Sequence, residues 1–328
     1  MHKPRHTLLG VIFGLSLAAC QGIPEPEYFL RQDQTHNKFS RAIPPAIRVP
    51  SGAVIQAKTE EATDQQLALD STADTINGID NDLIHPLSGP VYVEGAEPGD
   101  VLKVTLHKIE LGNWGWNAVF PGFGILADEY TEPYLQTYAL GAGAQTVAFN
   151  DKINIPLRPF PGVMGVAPDT DEMLSTIPPR ANGGNMDDPH IVEGTTVYFP
   201  VFVPGALFSI GDTHAVQGMG EVCGTAIEAP MNITFQVELL KGARPIPEPQ
   251  YETDDYYAVT AFAETLDEAA QKAVRFMIDY LVAEHGLEPN EAYTLCSLAG
   301  DLKIAEVVDV PHMLVAMHIS KDVLGIRD

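Results

Sequence analysis

Apolar and polar residues alternate over many short stretches of this chain, and only near the end does the spacing turn helical. Val101–Ile109 alternates and predicts a half-buried strand. Gly89–Glu94 predicts a second strand, joined to it through the turn residues Ala96–Asp100. Thr195–Val203 and Ala229–Leu240 are β-branched apolar runs, which predict strands buried on both faces. Ala42–Lys58 reads as paired strand segments around the turn Pro50-Ser51-Gly52. Thr59–Asp82 is polar and acidic and predicts a loop with a short helix. Gly112–Gly124 is rich in glycine and aromatics, and its Trp114 and Trp116 are expected to be packing residues. Pro156–Pro168 and Pro178–Gly184 are punctuated by proline and glycine, so they predict ordered loops or short strands.

The pattern changes after the stiff connection that begins at Arg244-Pro-Ile-Pro. Thr265 and Glu268 have the spacing of a capping box. Ala270, Val274, Met277, Ile278, Leu281 and Val282 then form one apolar helix face, and Gly286 ends the run. Pro289 suits the first turn of a second helix, which stops near Gly300, and Lys303–Val310 predicts a further strand. The pattern describes a β-rich body with a helical tail.

The N-terminus changes the picture of where the protein resides. A basic leader, His2 to His6, precedes an apolar run from Leu8 to Ala19 that is too short for a permanent transmembrane helix. It ends in Leu17-Ala-Ala-Cys20, which resembles a bacterial lipoprotein signal with Cys20 as the lipidated new N-terminus. The organisation expected is a signal peptide over 1–19, a lipidated tether over 20–30, a β-rich body over 31–245 and a C-terminal α/β portion over 246–328. Gln21 after the cysteine suggests the periplasmic side of the outer membrane. Loss of residues 1–19 removes Lys3 and Arg5 and no acid, so the net charge moves from −25 to −27. Such a surface repels phosphate backbones, which argues against nucleic-acid binding and weakly favours a neutral or cationic substrate. The remaining cysteines, Cys223 and Cys296, lie in apolar contexts and read as free buried thiols.

Chemistry concentrates between Gly211 and Glu221, where Asp212, His214, Gln217 and Glu221 are interleaved with glycines. Asp and His two apart project from one face of an extended segment and offer an oxygen and a nitrogen to one divalent metal. The competing reading is a polar turn with its charges in solvent. Glu221 opens an apolar stretch, where an unpaired carboxylate would be unfavourable, so a paired or functional role is favoured. His190, His312 and His318 form no evident constellation.

Several blocks in order resemble the acetamidase/formamidase family: His85-Pro-Leu-Ser-Gly-Pro, Val93-Glu-Gly-Ala-Glu-Pro-Gly-Asp-Val, Trp114-Gly-Trp-Asn, Gly162-Val-Met-Gly-Val-Ala-Pro, Ile177-Pro-Pro-Arg, Gly183-Gly-Asn-Met-Asp, Phe202-Val-Pro-Gly-Ala-Leu-Phe-Ser, Gly211-Asp-Thr-His, Gln217-Gly-Met-Gly-Glu and Ala292-Tyr-Thr-Leu-Cys-Ser-Leu-Ala. The resemblance runs from about His36 to the end. It implies an α+β, mainly β fold: a β-sandwich-like body with a C-terminal α/β portion, often oligomeric. It further implies hydrolysis of small neutral amides such as formamide and acetamide to acid and ammonia, with a divalent metal for which zinc is the expectation. On this basis Asp212 and His214 are expected metal ligands, joined by His36, Asp187 and His85 as candidates. Glu221 is the expected acid–base residue, and Gln217 and Asn185 are expected to hold the amide or its oxyanion. A non-catalytic metal- or ligand-binding envelope lipoprotein on the same fold is the alternative. Thr213 stands where relatives often carry glycine, and Met219 where they often carry an acid, a departure that would weaken the metal site if that acid belongs to it.

Overall fold

The computed structural model describes residues 22–326, so the leader 1–19 and Cys20 lie outside the described residues. Two nine-stranded sheets carry most of the chain. The first is built around Val101–Leu111, which is flanked by Met231–Leu240 and Thr196–Pro200 in antiparallel register. The second is built around Phe208–Val216, flanked by Phe160–Gly165 and Leu87–Val93. Alternate residues of both sheets interleave in one apolar core that includes Leu106, Val197 and Phe235 from the first and Met164, Phe208 and Ile210 from the second. Phe208 bridges the layers, with ring centroids 5.6 Å from Phe199 and 5.5 Å from Phe235. Face-to-face packing of two alternating sheets is the β-sandwich solution to burying one face of each. The fold is thus α+β and mainly β, as the resemblance implied.

The strands predicted by alternation form, but pairing follows the whole sheet rather than neighbourhood. Ile47–Val49 and Val54–Lys58 both form around the Pro50 turn, yet they do not pair with each other. Ile47–Val49 runs parallel to Leu87–Val93 in the second sheet, whereas Val54–Lys58 pairs with Tyr28–Leu30 and Met231–Leu240 in the first. The segment after 245 extends the first sheet: Thr196–Pro200 pairs with Gln250–Glu252, and Tyr256–Ala263, Met313–Ser320 and Gly300–Glu306 continue it outward. The helix Leu266–His285 lies against this extension. Thr265 Oγ1 accepts from Glu268 N at 3.3 Å, and Gly286 closes the helix at φ +66°, a left-handed conformation that favours glycine. Its most buried face is Ala269, Ala273, Met277, Tyr280 and Leu281, so Ala270, Val274 and Ile278 sit at the edge of the predicted stripe.

The last predicted strand ends early, at Glu306 rather than Val310. Glu306 Oε2 accepts from the backbone N–H groups of Val308 and Asp309, each at 3.0 Å. That side-chain cap turns the chain out of the sheet and carries Asp309 to the site described below. Among the described residues no helix is long and apolar enough to cross a membrane.

Candidate active site

Sheet register assembles a row of side chains that are far apart in sequence. Phe160 is opposite His214, His214 is opposite Glu228, and Glu228 is opposite Trp116. Directly opposed residues share a face of the sheet, so an imidazole sits between an aromatic ring and a carboxylate. His214 Nε2 lies 3.1 Å from Glu228 Oε2 and 3.5 Å from Asp212 Oδ2. Phe160 meets the His214 ring edge-on with centroids 5.0 Å apart. His85 Nε2 stands 3.8 Å from the other oxygen of Asp212. Asp212, His214 and Glu228 place their ligand atoms within 4.8 Å of one another, and so do Asp187, His214 and Glu221. The polar-turn reading of Gly211–Glu221 is excluded, because Asp212 and His214 are buried within a strand.

The other ring nitrogen fixes the tautomer. Gln217 Nε2 donates to the Asp187 carbonyl at 2.8 Å, so Gln217 Oε1 is the atom facing His214 Nδ1 at 2.8 Å. An amide oxygen only accepts, so Nδ1 carries the hydrogen and a neutral His214 has its lone pair on Nε2, toward Asp212 and Glu228. Both ends of the Gln217 amide are engaged by these contacts. The expectation that it binds substrate is therefore corrected: it orients His214.

Backbone strain marks the carboxylates. Asp187, Asp212 and Glu221 adopt φ of +42°, +46° and +46°. A left-handed non-glycine residue is disfavoured by roughly 1–3 kcal/mol and persists where surrounding structure imposes it. At Asp187 the imposing contacts are the N–H groups of Met186 and Asp187, which both reach the Gly162 carbonyl, at 3.0 and 3.2 Å. A side chain at Gly162 would strike Asp187 Oδ1, His214 Cε1 and the Asp212 carbonyl, so this strand approaches the site as closely as only glycine permits.

Asp187, Asp212, Glu221, Glu228 and Asp309 are buried here with Glu306 close by, and among the described residues His214 and His85 are the bases beside Asp212. Burial, followed by repulsion from neighbouring carboxylates, raises Asp187, Glu221 and Asp309 well above the ordinary carboxylate range. Burial likewise pushes Glu228 up to about 7. Burial also opposes ionisation of Asp212, but His85 and then His214 hold its pKa below the usual value. Burial pulls His214 toward neutrality, yet Glu228 and Asp212 together raise its pKa well above normal. Asp212 Oδ1, Glu228 Oε2, His85 Nδ1 and both Asp187 side-chain oxygens are buried without a hydrogen-bond partner. Such orphaned atoms are unfavourable unless a cation or ligand satisfies them. An oxygen-rich set with one imidazole lone pair fits a divalent ion, with Asp212, His214 and Glu228 as the holding residues.

The site opens into a cavity of about 530 Å³ lined at one end by His85, Asn185, Asp212, Glu221, Glu228 and Asp309. Asn185 Nδ2 donates to Asp309 Oδ2 at 2.7 Å, while its Oδ1 has no partner. Of the candidates, His36 lies apart. Its Nδ1 faces the Lys38 carbonyl at 2.7 Å and its Nε2 faces Ser209 Oγ at 2.8 Å, so neither nitrogen is free for a metal. Thr213 points away from the acids and bonds to Thr59 Oγ1 at 2.9 Å and to the Ala229 carbonyl at 2.6 Å. Met219 is 38% exposed and lies outside the acid cluster, so the departures at 213 and 219 leave the carboxylate set intact.

Glu228 and Asp309 escaped sequence reasoning. Each is a lone carboxylate in an apolar run, Ala226-Ile-Glu-Ala and Val307-Val-Asp-Val, which is the signal that singled out Glu221. His190 and His318 also have partners: Asp188 Oδ1 contacts His190 Nδ1 at 2.9 Å, and Tyr251 OH lies 2.6 Å from Asp188 Oδ2 and 2.7 Å from His318 Nε2. Both Asp188 oxygens are satisfied there. Trp116 is both buried and a wall of the cavity, with Nε1 donating to Glu61 Oε2 at 2.7 Å.

Comparison with known proteins agrees with this architecture. A crystal structure of a predicted acetamidase/formamidase from the thermophile Thermoanaerobacter tengcongensis superposes with a TM-score of 0.85 at 35% identity, covering 92% of this chain and 99% of that one. The acetamidase of Bacillus halodurans gives a TM-score of 0.84 at 31% identity, over 91% of this chain and 100% of that one. The acetamidase of Mycolicibacterium smegmatis is 29% identical over 271 residues, 63% of this chain and 66% of that one. The Acetamidase/Formamidase family matches residues 26–175 and 169–325, so the chain belongs to the acetamidase/formamidase family.

Proposed function

We propose that the cavity beside His214 hydrolyses a small linear amide to a carboxylic acid and ammonia. The chain is an amidohydrolase acting on carbon–nitrogen bonds other than peptide bonds. The observation that carries the assignment to this site is the set of buried, partnerless carboxylates around one tautomer-fixed histidine at the end of a cavity.

Asp212, His214 and Glu228 would hold a divalent ion, and zinc suits their mixed nitrogen and oxygen donors. Such an ion, when bound, lowers the pKa of water to about 7 and polarises a carbonyl. Glu221 lines the cavity, and burial raises its pKa, which suits a carboxyl that takes a proton from water and returns it to the departing nitrogen. Asn185 Oδ1 is free to accept an N–H of the substrate amide, because Asp309 has already claimed its nitrogen. Gln217 keeps Nδ1 of His214 protonated, and Phe160 holds the ring edge-on.

The same reading includes the cell envelope. The lipoprotein-type leader and Cys20 support a lipid anchor on the periplasmic side of the outer membrane, and the family resemblance supports a homo-oligomer. Ammonia release from a panel of small amides, before chelation, after chelation and after metal is restored, tests the activity. Turnover that chelator abolishes and metal restores supports it, and metal-replete protein that hydrolyses no amide refutes it.

A further inference from the structure

The cavity is far larger than formamide or acetamide requires. Those molecules have three and four heavy atoms, and at roughly 30 Å³ per heavy atom, the volume share of a water molecule, they fill about 90–120 Å³. The cavity encloses about 530 Å³, inside the range of roughly 300–1,000 Å³ that serves drug-sized ligands. Beyond the carboxylate set its lining is mixed, with Thr63, Asn77, Asn81 and Thr225 among apolar side chains, but Ile79, Ile84, Trp116, Phe120, Phe123 and Ile177 supply its large hydrocarbon surfaces.

This apolar wall is preformed. Trp116 is fixed by its hydrogen bond to Glu61 and meets Phe120 edge-on with centroids 6.1 Å apart. Phe123 lies over Gly224, where a Cβ would strike its ring, and Gly224 has φ +89°. Half-buried hydrocarbon facing a cavity gains free energy only when a ligand displaces water from it, at about 25 cal/mol per Å².

We infer that the preferred substrate is a primary amide with a bulky hydrocarbon acyl group, aryl or branched, seated against this wall. The inference rests on the amide-hydrolase reading. The reaction balances as water plus amide: the water oxygen forms the new C–O bond, the C–N bond breaks, and a proton carried by Glu221 leaves with nitrogen as ammonia. Contact between the acyl group and the wall, remote from the reacting carbon, raises kcat/KM by positioning that carbon.

The test measures ammonia release by metal-replete full chain on formamide, acetamide, 3-methylbutyramide and phenylacetamide. One methylene in an apolar pocket is worth roughly 10–200-fold, so the two larger amides are expected to exceed acetamide in kcat/KM by at least about tenfold. Efficient acetamide turnover with equal or poorer use of the larger amides overturns the inference while leaving the amidase reading standing. No turnover of any amide overturns that reading and the inference with it. Phe123→Ser and Ile79→Ser supply a second measurement. Each is expected to lower kcat/KM for phenylacetamide at least about fivefold more than for acetamide, by loss of apolar contact. An equal fall for both substrates in both variants contradicts selection by the wall.

Discussion

Gln217→Leu isolates the device that sets the protonation of His214. Leucine fills nearly the same space but removes both polar functions, so His214 Nδ1–H and the Asp187 carbonyl lose partners at 2.8 Å each. Both groups are buried, and an unsatisfied buried donor or acceptor is unfavourable by roughly 1–3 kcal/mol. Without the Gln217 acceptor, His214 no longer favours the tautomer that presents a lone pair to Asp212 and Glu228. Loss of a group that orients a metal-binding histidine typically weakens metal affinity about 10–100-fold, which is about 1.4–2.7 kcal/mol. The assay is competition for zinc between the protein and a chromophoric chelator at fixed pH, with thermal unfolding of the metal-free proteins run alongside. A weakened affinity together with a lower Tm is expected. Affinity within twofold of wild type, even with a lower Tm, would refute the tautomer argument and reduce Gln217 to a packing residue.

Glu228→Gln removes an anionic donor 3.1 Å from His214 Nε2 and is expected to weaken zinc affinity more than about 100-fold, beyond the loss typical of an orienting residue. Wild-type affinity in the same competition would exclude Glu228 from the metal set. Gly162→Ala forces a methyl to within 2.7 Å of His214 Cε1 and 2.9 Å of the Asp212 carbonyl. Overpacking of this kind destabilises by about 1–3 kcal/mol, so denaturant unfolding should show a lower midpoint together with weaker metal binding, and an unchanged midpoint would contradict the close approach. His36 is held neutral, its pKa pushed down to about 4 by burial against an ordinary 6.5, with the Lys38 carbonyl opposing. The unfolded chain therefore binds more protons between those values. The stability His36 contributes is complete above about pH 6.5 and is lost as pH falls toward 4, by roughly 3 kcal/mol. His36→Gln should flatten that part of a Tm–pH curve, and an unaltered slope would count against the buried neutral imidazole.

What the sequence discloses depends on how local the physics is. The helix Leu266–His285 was legible because its cap, its apolar spacing and its terminal glycine all lie within a few turns of one another. Val101–Leu111 was legible from alternation and Met231–Leu240 from a β-branched apolar run, both of them patterns among near neighbours. Strand partners were not. The two segments around Pro50 joined different sheets because burial across the sandwich outweighs a short turn. Asp212, His214 and Glu221 shared one motif and were found together. Glu228 is brought to His214 only by register, and Asp309 only by the turn that Glu306 caps, so neither had a motif to announce it. His36 had the right chemistry but a hydroxyl and a carbonyl as neighbours, which no spacing rule reveals.

The acid–base role of Glu221 is tested most directly by ammonia release from zinc-loaded wild type and zinc-loaded Glu221→Gln, with bound metal measured in both. General acid–base catalysis contributes about 10²–10⁴-fold, so the variant should retain its metal and lose at least about 100-fold in kcat. Equal turnover by the two proteins would contradict the account.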